Sequence, residues 1–197
     1  RLKVPEKLLE NQSRAIAPLR KNGQLIIGIH VGPSWPVRQW NTAGWTRLVE
    51  RLHEEYDCQV VQLGTDEHTA KGSQITPRIA GCLDWVNKLT LEQTVATLKL
   101  MDLFIGIDSG LLHASGAVGT PVVGLFGPIN PKLRLPPESR AMAVTSSVPC
   151  LGCHHRLPRL HWFDGCPYSI ACMKEISPEA VVSSCKLLLS PVNTPVG

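Results

Sequence analysis

The feature that most constrains the fold is the segment from Asp102 to Pro128, in which two apolar runs flank a helical stretch. The first run leads into Asp108-Ser109-Gly110, and the second ends at Gly127-Pro128. Two short apolar runs joined by a helix predict a βαβ unit with parallel, buried strands. Polar residues that follow such a strand lie at the carboxyl edge of the sheet, where open α/β sheets bind ligands. The unpaired N–H groups at the start of the helix suit a phosphate.

The same alternation of strands and helices covers most of the chain. Apolar runs predict six strands, at 25–30, 59–63, 83–86, 102–107, 122–126 and 141–145. Helical spacing predicts helices at 42–56, at 66–80, from Thr90 onward and from Ser177 to Leu189, with Thr90 and Ser177 as N-caps. Strands that alternate with helices imply right-handed crossovers and a parallel sheet. We therefore predict a doubly wound α/β fold with helices on both faces of the sheet.

The ends of the chain and one internal stretch depart from this alternation. We expect residues 1–23 to form an interdomain linker with a short helix that is broken near Pro18. We expect residues 24–145 to form the doubly wound domain. Residues 146–176 are rich in Cys, His and Pro, so we expect a Cys-rich loop appended to the domain. Residues 177–190 form a C-terminal helix that completes the domain. The chain does not begin with Met, which predicts further residues upstream.

Composition narrows the classes of partner. A net charge of +4 over 197 residues is mild and lacks the dense basic stripe of a nucleic-acid-binding protein. No apolar run is long enough to span a bilayer, and the N-terminal residues lack the apolar core of a secretory signal. We therefore expect no nucleic-acid partner and no transmembrane segment.

A second polar loop, from His30 to Trp40, follows a predicted strand and precedes a predicted helix. Gly32 permits close approach of the backbone, Ser34 offers a hydroxyl, and Arg38 supplies a forked cation suited to phosphate. Its glycines match neither the dinucleotide-binding spacing nor the P-loop spacing, so an ordinary connecting loop is the alternative. Because this loop and Asp108 leave the same edge of one sheet, we favour a shared binding site.

Four of the seven cysteines lie in the Cys-rich loop, at Cys150, Cys153, Cys166 and Cys172. A Cys-x2-Cys pair followed by two further thiols can form a tetrahedral four-sulfur site for structural Zn or Fe. The alternatives are reduced thiols in a Pro-rich loop, or two disulfides. Three histidines of the same stretch are alternative ligands: His154, His155 and His161.

Both polar loops resemble those of one enzyme family. The loop from His30 to Trp40 resembles the His-x-Gly-Ala-Ser-x-x-x-Lys-x-Trp loop of glycosyltransferase family 9, which includes the lipopolysaccharide heptosyltransferases. Residues Asp108 to His113, followed by Gly119 to Pro128, are similar to the donor-site signature of that family. The family has two facing Rossmann-like domains of the GT-B type, and this chain resembles the C-terminal, nucleotide-sugar-binding one.

The resemblance implies inverting transfer of a heptose-like sugar from a nucleoside-diphosphate sugar, such as ADP-heptose, to a saccharide or glycolipid acceptor such as lipopolysaccharide core. It also implies no catalytic metal, a catalytic base in an N-terminal acceptor domain, and a cytoplasmic location, peripheral at the inner membrane face. The donor-binding residues that it implies are Ser34 and Arg38 for the diphosphate, Glu67 for the nucleoside, and Asp108, Ser109, Gly110 and His113 along the pocket.

Two positions depart from the family pattern. Arg38 stands where the family usually has Lys, and Pro33 replaces a small residue and removes one N–H from the loop. The main alternative function is a non-catalytic Rossmann-like module whose Cys/His metal knuckle binds a partner. A sugar-nucleotide epimerase is a third option, for which the sequence offers no catalytic carboxylates.

Overall fold

The structure, a computed structural model, describes residues 2–32, 35–69, 72–137, 140–156 and 166–190. Its strands are β1 Leu25–His30, β2 Cys58–Gln62, β3 Glu67–Thr69, β4 Gly72–Gln74, β5 Leu83–Asp84, β6 Leu103–Ile107, β7 Val122–Leu125 and β8 Ala141–Val144. Its α-helices are α1 Glu6–Ile16, α2 Thr42–Glu55, α3 Leu91–Lys99, α4 Gly110–Val118, α5 Pro131–Arg134, α6 Ala171–Lys174 and α7 Pro178–Leu189.

Six strands form one parallel sheet in the order β5-β2-β1-β6-β7-β8. The chain moves outward from β1 to β2 and β5, and then returns to place β6 on the other side of β1. Strand order therefore reverses between β1 and β6. This arrangement confirms the predicted doubly wound fold and creates a switch point at the carboxyl ends of these two strands.

Two apolar layers cover the sheet, one on each face. Because side chains of a strand point alternately to opposite faces, Ile27 and Ile29 of β1 join one layer and Ile26 joins the other. Helices α2 and α7 cover the first face, while α1, α3 and α4 cover the second. Burial on both faces explains why these strands have continuous apolar sequences.

The helix caps agree with the sequence. Thr90 forms a capping box with Gln93 at the start of α3, and the Ser177 hydroxyl accepts a hydrogen bond from the Ala180 N–H at the start of α7. The N-terminal helix α1 packs against α3, where the Gln12 side chain accepts a buried hydrogen bond from Thr97. None of the helices within the described ranges is both long and apolar enough to cross a membrane.

The predicted helix at 66–80 is wrong. Its described residues form the antiparallel strands β3 and β4, followed by chain without regular secondary structure. The Asp66 carboxylate accepts hydrogen bonds from the Thr76 N–H, the Arg78 guanidinium and the Asn87 amide. Contacts over 10 or more residues hold the chain in this shape, and helical spacing of apolar residues does not report them.

Asp102 joins the amino ends of β1 and β6. Its Oδ2 accepts a hydrogen bond from the buried Ile26 N–H at 2.7 Å and lies 2.9 Å from the Arg20 guanidinium. Arg20 also donates to the Leu100 carbonyl at 2.6 Å. The Asp102 carboxylate thus accepts a hydrogen bond from a backbone N–H of β1 and also holds Arg20, in the segment that leads into β1.

We expect Asp102→Ala to lower the free energy of unfolding by about 1–3 kcal/mol, because it leaves the Ile26 N–H without an acceptor. Asp102→Asn keeps an acceptor oxygen and should cost less. Urea denaturation measures both. Glu50→Ala, which removes an exposed ion pair on α2, is the control and should change stability by less than about 1 kcal/mol. Equal effects of Asp102→Ala and Glu50→Ala would contradict this role.

Candidate functional site

A cavity of about 640 Å³ opens at the switch point. The loops that follow β1 and β6 turn toward opposite faces of the sheet, which leaves a crevice between them. The cavity wall includes residues from the end of β1, the turn after it, the end of β2, the start of α3 and the start of α4: His30, Trp35, Pro36, Arg38, Gly64, Thr65, Leu89, Leu91, Thr94, Asp108, Ser109, Gly110, Leu111 and Ala114.

The charged part of the wall is built around Asp108, which follows β6 and is only 5% exposed. Its Oδ2 lies 3.3 Å from the Arg38 guanidinium, and its Oδ1 lies 3.4 Å from Nε2 of His113. The 3-10 turn Pro36–Arg38 carries the guanidinium to this position. Arg38 also lies 4.4 Å from the centre of the Trp35 ring, so a carboxylate and an aromatic face hold it together.

Arg38 and Asp108 are the charged residues of the described wall, and Arg134 adds a second guanidinium nearby. Burial lowers the pKa of Arg38 below its ordinary value, Asp108 raises it, and the nearby Arg134 lowers it. The guanidinium keeps its charge, because the ordinary pKa of arginine lies far above neutrality. Two guanidinium groups near one buried carboxylate favour an anionic ligand.

The first turn of α4 supplies backbone donors beside this charge. Ser109 is the N-cap of α4, and its side chain makes no capping hydrogen bond. At Gly110 an added Cβ would meet no heavy atom within 4 Å, so the space over the first turn is open. The N–H groups of a first helical turn have no partner within the helix, and they suit a phosphate.

Three buried polar atoms of residues in this wall have no hydrogen-bond partner among the described residues: His30 Nδ1, Arg38 Nε and Ser109 Oγ. Each such atom costs about 1–3 kcal/mol relative to a paired one. Burial also lowers the pKa of His30 to about 4, so its ring is neutral at physiological pH. Because these atoms have almost no accessible surface, they are internal to the wall and do not face a ligand.

Of the seven residues predicted to bind a donor, four border the cavity: Arg38, Asp108, Ser109 and Gly110. His113 contacts Asp108 and is absent from the described wall of the cavity. Glu67 is the first residue of β3, in the hairpin that follows β2 and Gly64, and its side chain lies outside what the structure describes. Ser34, together with Pro33, lies outside the described residues.

Sequence reasoning missed the apolar part of the wall. Leu89 and Leu91 border the cavity near the start of α3, and Leu91 is 71% exposed although it is apolar. An apolar residue directly after the Thr90 cap, where a helix start is normally polar, is the signal that could have revealed it. His30 and Thr65 also belong to the wall, and both follow from the rule that strand ends meet at one edge.

The four cysteines of the predicted metal site border one small cavity of about 10 Å³, with Val37, Pro128, His154 and Ile170. All seven cysteines of the chain are free thiols. Within the described ranges, no group of three or more Cys, His, Asp or Glu side chains is arranged to hold a metal ion. Of the alternative ligands, His154 borders this cavity, His155 is exposed, and His161 lies outside the described residues.

The cysteine loop is attached to the chain that leaves β7. The Gly152 N–H donates to the Gly127 carbonyl at 2.9 Å, and the His154 N–H donates to the Pro128 carbonyl at 3.0 Å. A Cβ at Gly127 would lie 2.7 Å from the sulfur of Met173 and 2.8 Å from that of Cys172, so a larger residue here would displace these side chains. Burial, together with the three neighbouring thiols, raises the pKa of Cys172 to about 12.

The neutral state of His30 predicts a pH dependence of stability. In the unfolded chain His30 binds a proton near pH 6.5, whereas in the folded protein it does so only near pH 4. The free energy of unfolding should therefore fall as the pH drops through this window, by about 2 kcal/mol between pH 6.5 and pH 5. His30→Gln should remove this part of the slope in urea denaturation.

The matched control for that prediction is His53→Gln, on the exposed side of α2, which leaves His30 in place. This variant should retain the contribution of His30 to the pH dependence of the free energy of unfolding. If His30→Gln and the unmodified protein lose stability in parallel between pH 6.5 and pH 5, His30 is not a buried neutral side chain.

Two solved glycosyltransferase structures share this fold. A family 9 glycosyltransferase from Veillonella parvula matches 95% of this chain and 53% of its own chain, with a TM-score of 0.71 and 18% identity. TibC from enterotoxigenic E. coli, described as a dodecameric iron-containing heptosyltransferase in complex with ADP-D-beta-D-heptose, matches 84% of this chain and 45% of its own, with a TM-score of 0.68 and 21% identity.

Sequence comparison gives the family. Lipooligosaccharide heptosyltransferase 2 of Campylobacter jejuni is 25% identical over 175 residues, which cover 86% of this chain and 52% of that protein. The chain thus spans about half the length of this curated relative. The family model of glycosyltransferase family 9 (heptosyltransferase) matches residues 3–162. The chain therefore belongs to glycosyltransferase family 9.

Proposed function

We propose that this chain is the C-terminal, donor-binding half of an inverting glycosyltransferase that uses a nucleoside-diphosphate sugar. The observation that carries the proposal is the polar wall at the switch point, formed by Arg38, Asp108 and the first turn of α4. A permanent cation next to open backbone N–H groups suits a diphosphate. Membership of glycosyltransferase family 9 supports the same assignment.

The proposed donor is ADP-heptose or a close relative, and the proposed acceptor is a saccharide or glycolipid such as lipopolysaccharide core. Two observations support this choice. TibC is solved with ADP-D-beta-D-heptose, and the relatives from Campylobacter jejuni and Escherichia coli are named lipooligosaccharide and lipopolysaccharide heptosyltransferases. The apolar wall at Leu89 and Leu91 also suits the flat face of a nucleobase.

In the proposed reaction an acceptor hydroxyl attacks the anomeric carbon on the face opposite the nucleoside diphosphate. The bond from that carbon to the β-phosphate oxygen breaks, and negative charge develops on the leaving diphosphate. Arg38 and the N–H groups of Ser109 and Gly110 stabilise this charge, together with the positive end of α4. Asp108 is paired with Arg38 and His113, so we assign it to positioning Arg38.

The acceptor proton needs a base, which we assign to the N-terminal domain of the full-length protein. The chain covers 52% of the Campylobacter jejuni enzyme and 53% of the Veillonella parvula structure, which supports a second domain of similar size. The acceptor would bind between the two domains. The alternative, a non-catalytic module, predicts a full-length protein that transfers no sugar.

Transfer of heptose from ADP-heptose by the full-length protein tests the function. We expect release of ADP that depends on the acceptor. We expect Arg38→Ala to weaken ADP binding by roughly tenfold or more in calorimetry, because the diphosphate loses a charged hydrogen-bond donor. The transfer rate should fall at least as much, since charge on the leaving group increases in the transition state.

Two further variants keep this test specific. Arg38→Lys keeps the charge, so its ADP affinity and transfer rate should lie between those of Arg38→Ala and those of the unmodified protein. Arg47→Ala removes an exposed arginine of α2 and should leave ADP affinity unchanged. Unchanged affinity in a folded Arg38→Ala protein would remove the diphosphate assignment, and absence of transfer with retained partner binding would favour the module.

We also propose that the cysteine cluster (Cys150, Cys153, Cys166 and Cys172) holds a structural Zn or Fe ion. Four free thiols that border one cavity are the donor set that these ions prefer. The description of TibC as iron-containing supports a metal in a relative of the same fold. Such an ion would supply ordering energy to a segment with few apolar side chains.

Elemental analysis of the purified protein should find about one Zn or Fe per chain. Cys153→Ser should lower this content strongly, because it removes one of the four ligands. Cys82→Ser, at a half-buried cysteine outside the cluster, is the matched control and should leave it unchanged. Metal content near zero in the unmodified protein would rule out the site.

A further inference from the structure

A second cavity, of about 600 Å³, lies next to the cavity at the switch point and shares Pro36 with it. Its described wall includes Asn41 and Thr42 at the start of α2, Thr76 after β4, and Lys174 at the end of α6. Small-molecule sites in proteins commonly have volumes of about 300–1,000 Å³. The mechanism above leaves this second cavity without a role.

Buried contacts hold the walls of the second cavity. The Thr76 hydroxyl donates to the Gly32 carbonyl at 3.1 Å, and both residues border the cavity. On the side of α2, Nε1 of Trp40 donates to the Ile176 carbonyl at 3.2 Å, and the rings of Trp40 and Trp45 pack edge to face with centres 5.2 Å apart. These contacts fix the shape of the cavity, so a ligand can bind with little rearrangement of the wall.

The second cavity differs in charge from the cavity at the switch point, which carries Arg38 and Asp108. Among the residues described in its wall none is acidic, and Lys174 alone carries a full charge. Asn41 and Thr42 supply amide and hydroxyl groups beside proline, tryptophan and isoleucine side chains. Neutral polar groups pair with hydroxyls, and apolar side chains pack against the C–H faces of a sugar ring. This mixture favours a saccharide over a second nucleotide.

The position of the second cavity suits the acceptor of a sugar transfer. The attacked anomeric carbon is bonded to the β-phosphate oxygen, and we assign the diphosphate to Arg38. Pro36 lies two residues before Arg38 and borders both cavities. A saccharide in the second cavity would therefore lie next to the diphosphate end that carries the donor sugar.

We propose that the second cavity binds a saccharide unit of the acceptor, so that the donor-binding half contributes part of the acceptor site. The inference rests on the proposed function, because it requires a sugar donor in the neighbouring cavity. Asn41 is the residue that we assign to the acceptor hydroxyls. Its Oδ1 accepts a hydrogen bond from the Gly44 N–H at 2.7 Å, which fixes the side chain, while its amide nitrogen supplies N–H donors.

Steady-state kinetics of the full-length protein with ADP-heptose and a lipopolysaccharide core oligosaccharide test the proposal. Asn41→Asp keeps the oxygen that caps α2, so the helix should stay intact, but a carboxylate cannot donate to a hydroxyl. We expect the KM for the oligosaccharide to rise roughly tenfold. Thr42→Trp adds bulk to the cavity wall and should raise this KM at least as much. Both variants should bind ADP with unchanged affinity in calorimetry.

Asn130→Asp is the matched control, because Asn130 caps α5 through the same type of hydrogen bond and lies outside the described wall of the second cavity. It should leave both KM values unchanged. If Thr42→Trp alone raises the KM for the oligosaccharide, the cavity stands and the contact with Asn41 is wrong.

Three results would overturn the proposal in distinguishable ways. If folded Asn41→Asp and Thr42→Trp proteins keep the original KM for the oligosaccharide, the acceptor assignment is wrong while the donor site stands. If both variants weaken ADP binding as much as they raise that KM, the second cavity belongs to the donor. If the unmodified full-length protein transfers no heptose, the proposed function itself fails and the inference fails with it.

Discussion

The reversal of strand order between β1 and β6 is the constraint on which the rest of the structure depends. The chain builds outward from β1 through β2 to β5 and then restarts at β6 on the opposite side. At that boundary the neighbouring loops turn to opposite faces of the sheet, which leaves an open crevice. Asp102 fixes the amino ends of the same two strands through Ile26 and Arg20. Strands β1 and β6 are therefore linked at their amino ends by Asp102, while the crevice lies at their carboxyl ends.

Much of the fold could be predicted because buried parallel strands carry an unmistakable pattern. Each of the six predicted strands is present, with ends that differ from the prediction by at most two residues. Continuous apolar runs arise where both faces of a strand are covered, and this requirement is local in sequence. The prediction of a helix at 66–80 was wrong for the opposite reason. Its shape depends on Asp66 meeting Arg78 and Asn87, and partners so distant leave no periodic signal.

The candidate site likewise has features that the sequence could predict and features that it could not. The strand-end rule was sufficient to bring Arg38, Asp108 and Ser109 to one cavity, because it needs only the order of elements. It could not show that Asp108 is paired with Arg38, since side-chain pairing depends on how the 3-10 turn folds back. Nor could it show that His30 is buried and neutral. That property comes from the neighbouring strands and not from the residues adjacent in sequence.

The turn Pro36–Arg38 lies between the cavity at the switch point and the cysteine cavity. Pro36 and Arg38 border the large cavity at the switch point, while Val37 between them borders the cysteine cavity. Trp35, which stacks on Arg38, also lies against His154, with ring centres 6.2 Å apart. Successive residues of this turn therefore face the two cavities. The side chain that packs beside the thiols is thus joined directly to the residue that carries the guanidinium, so the Cys-rich loop and the phosphate wall share one structural boundary.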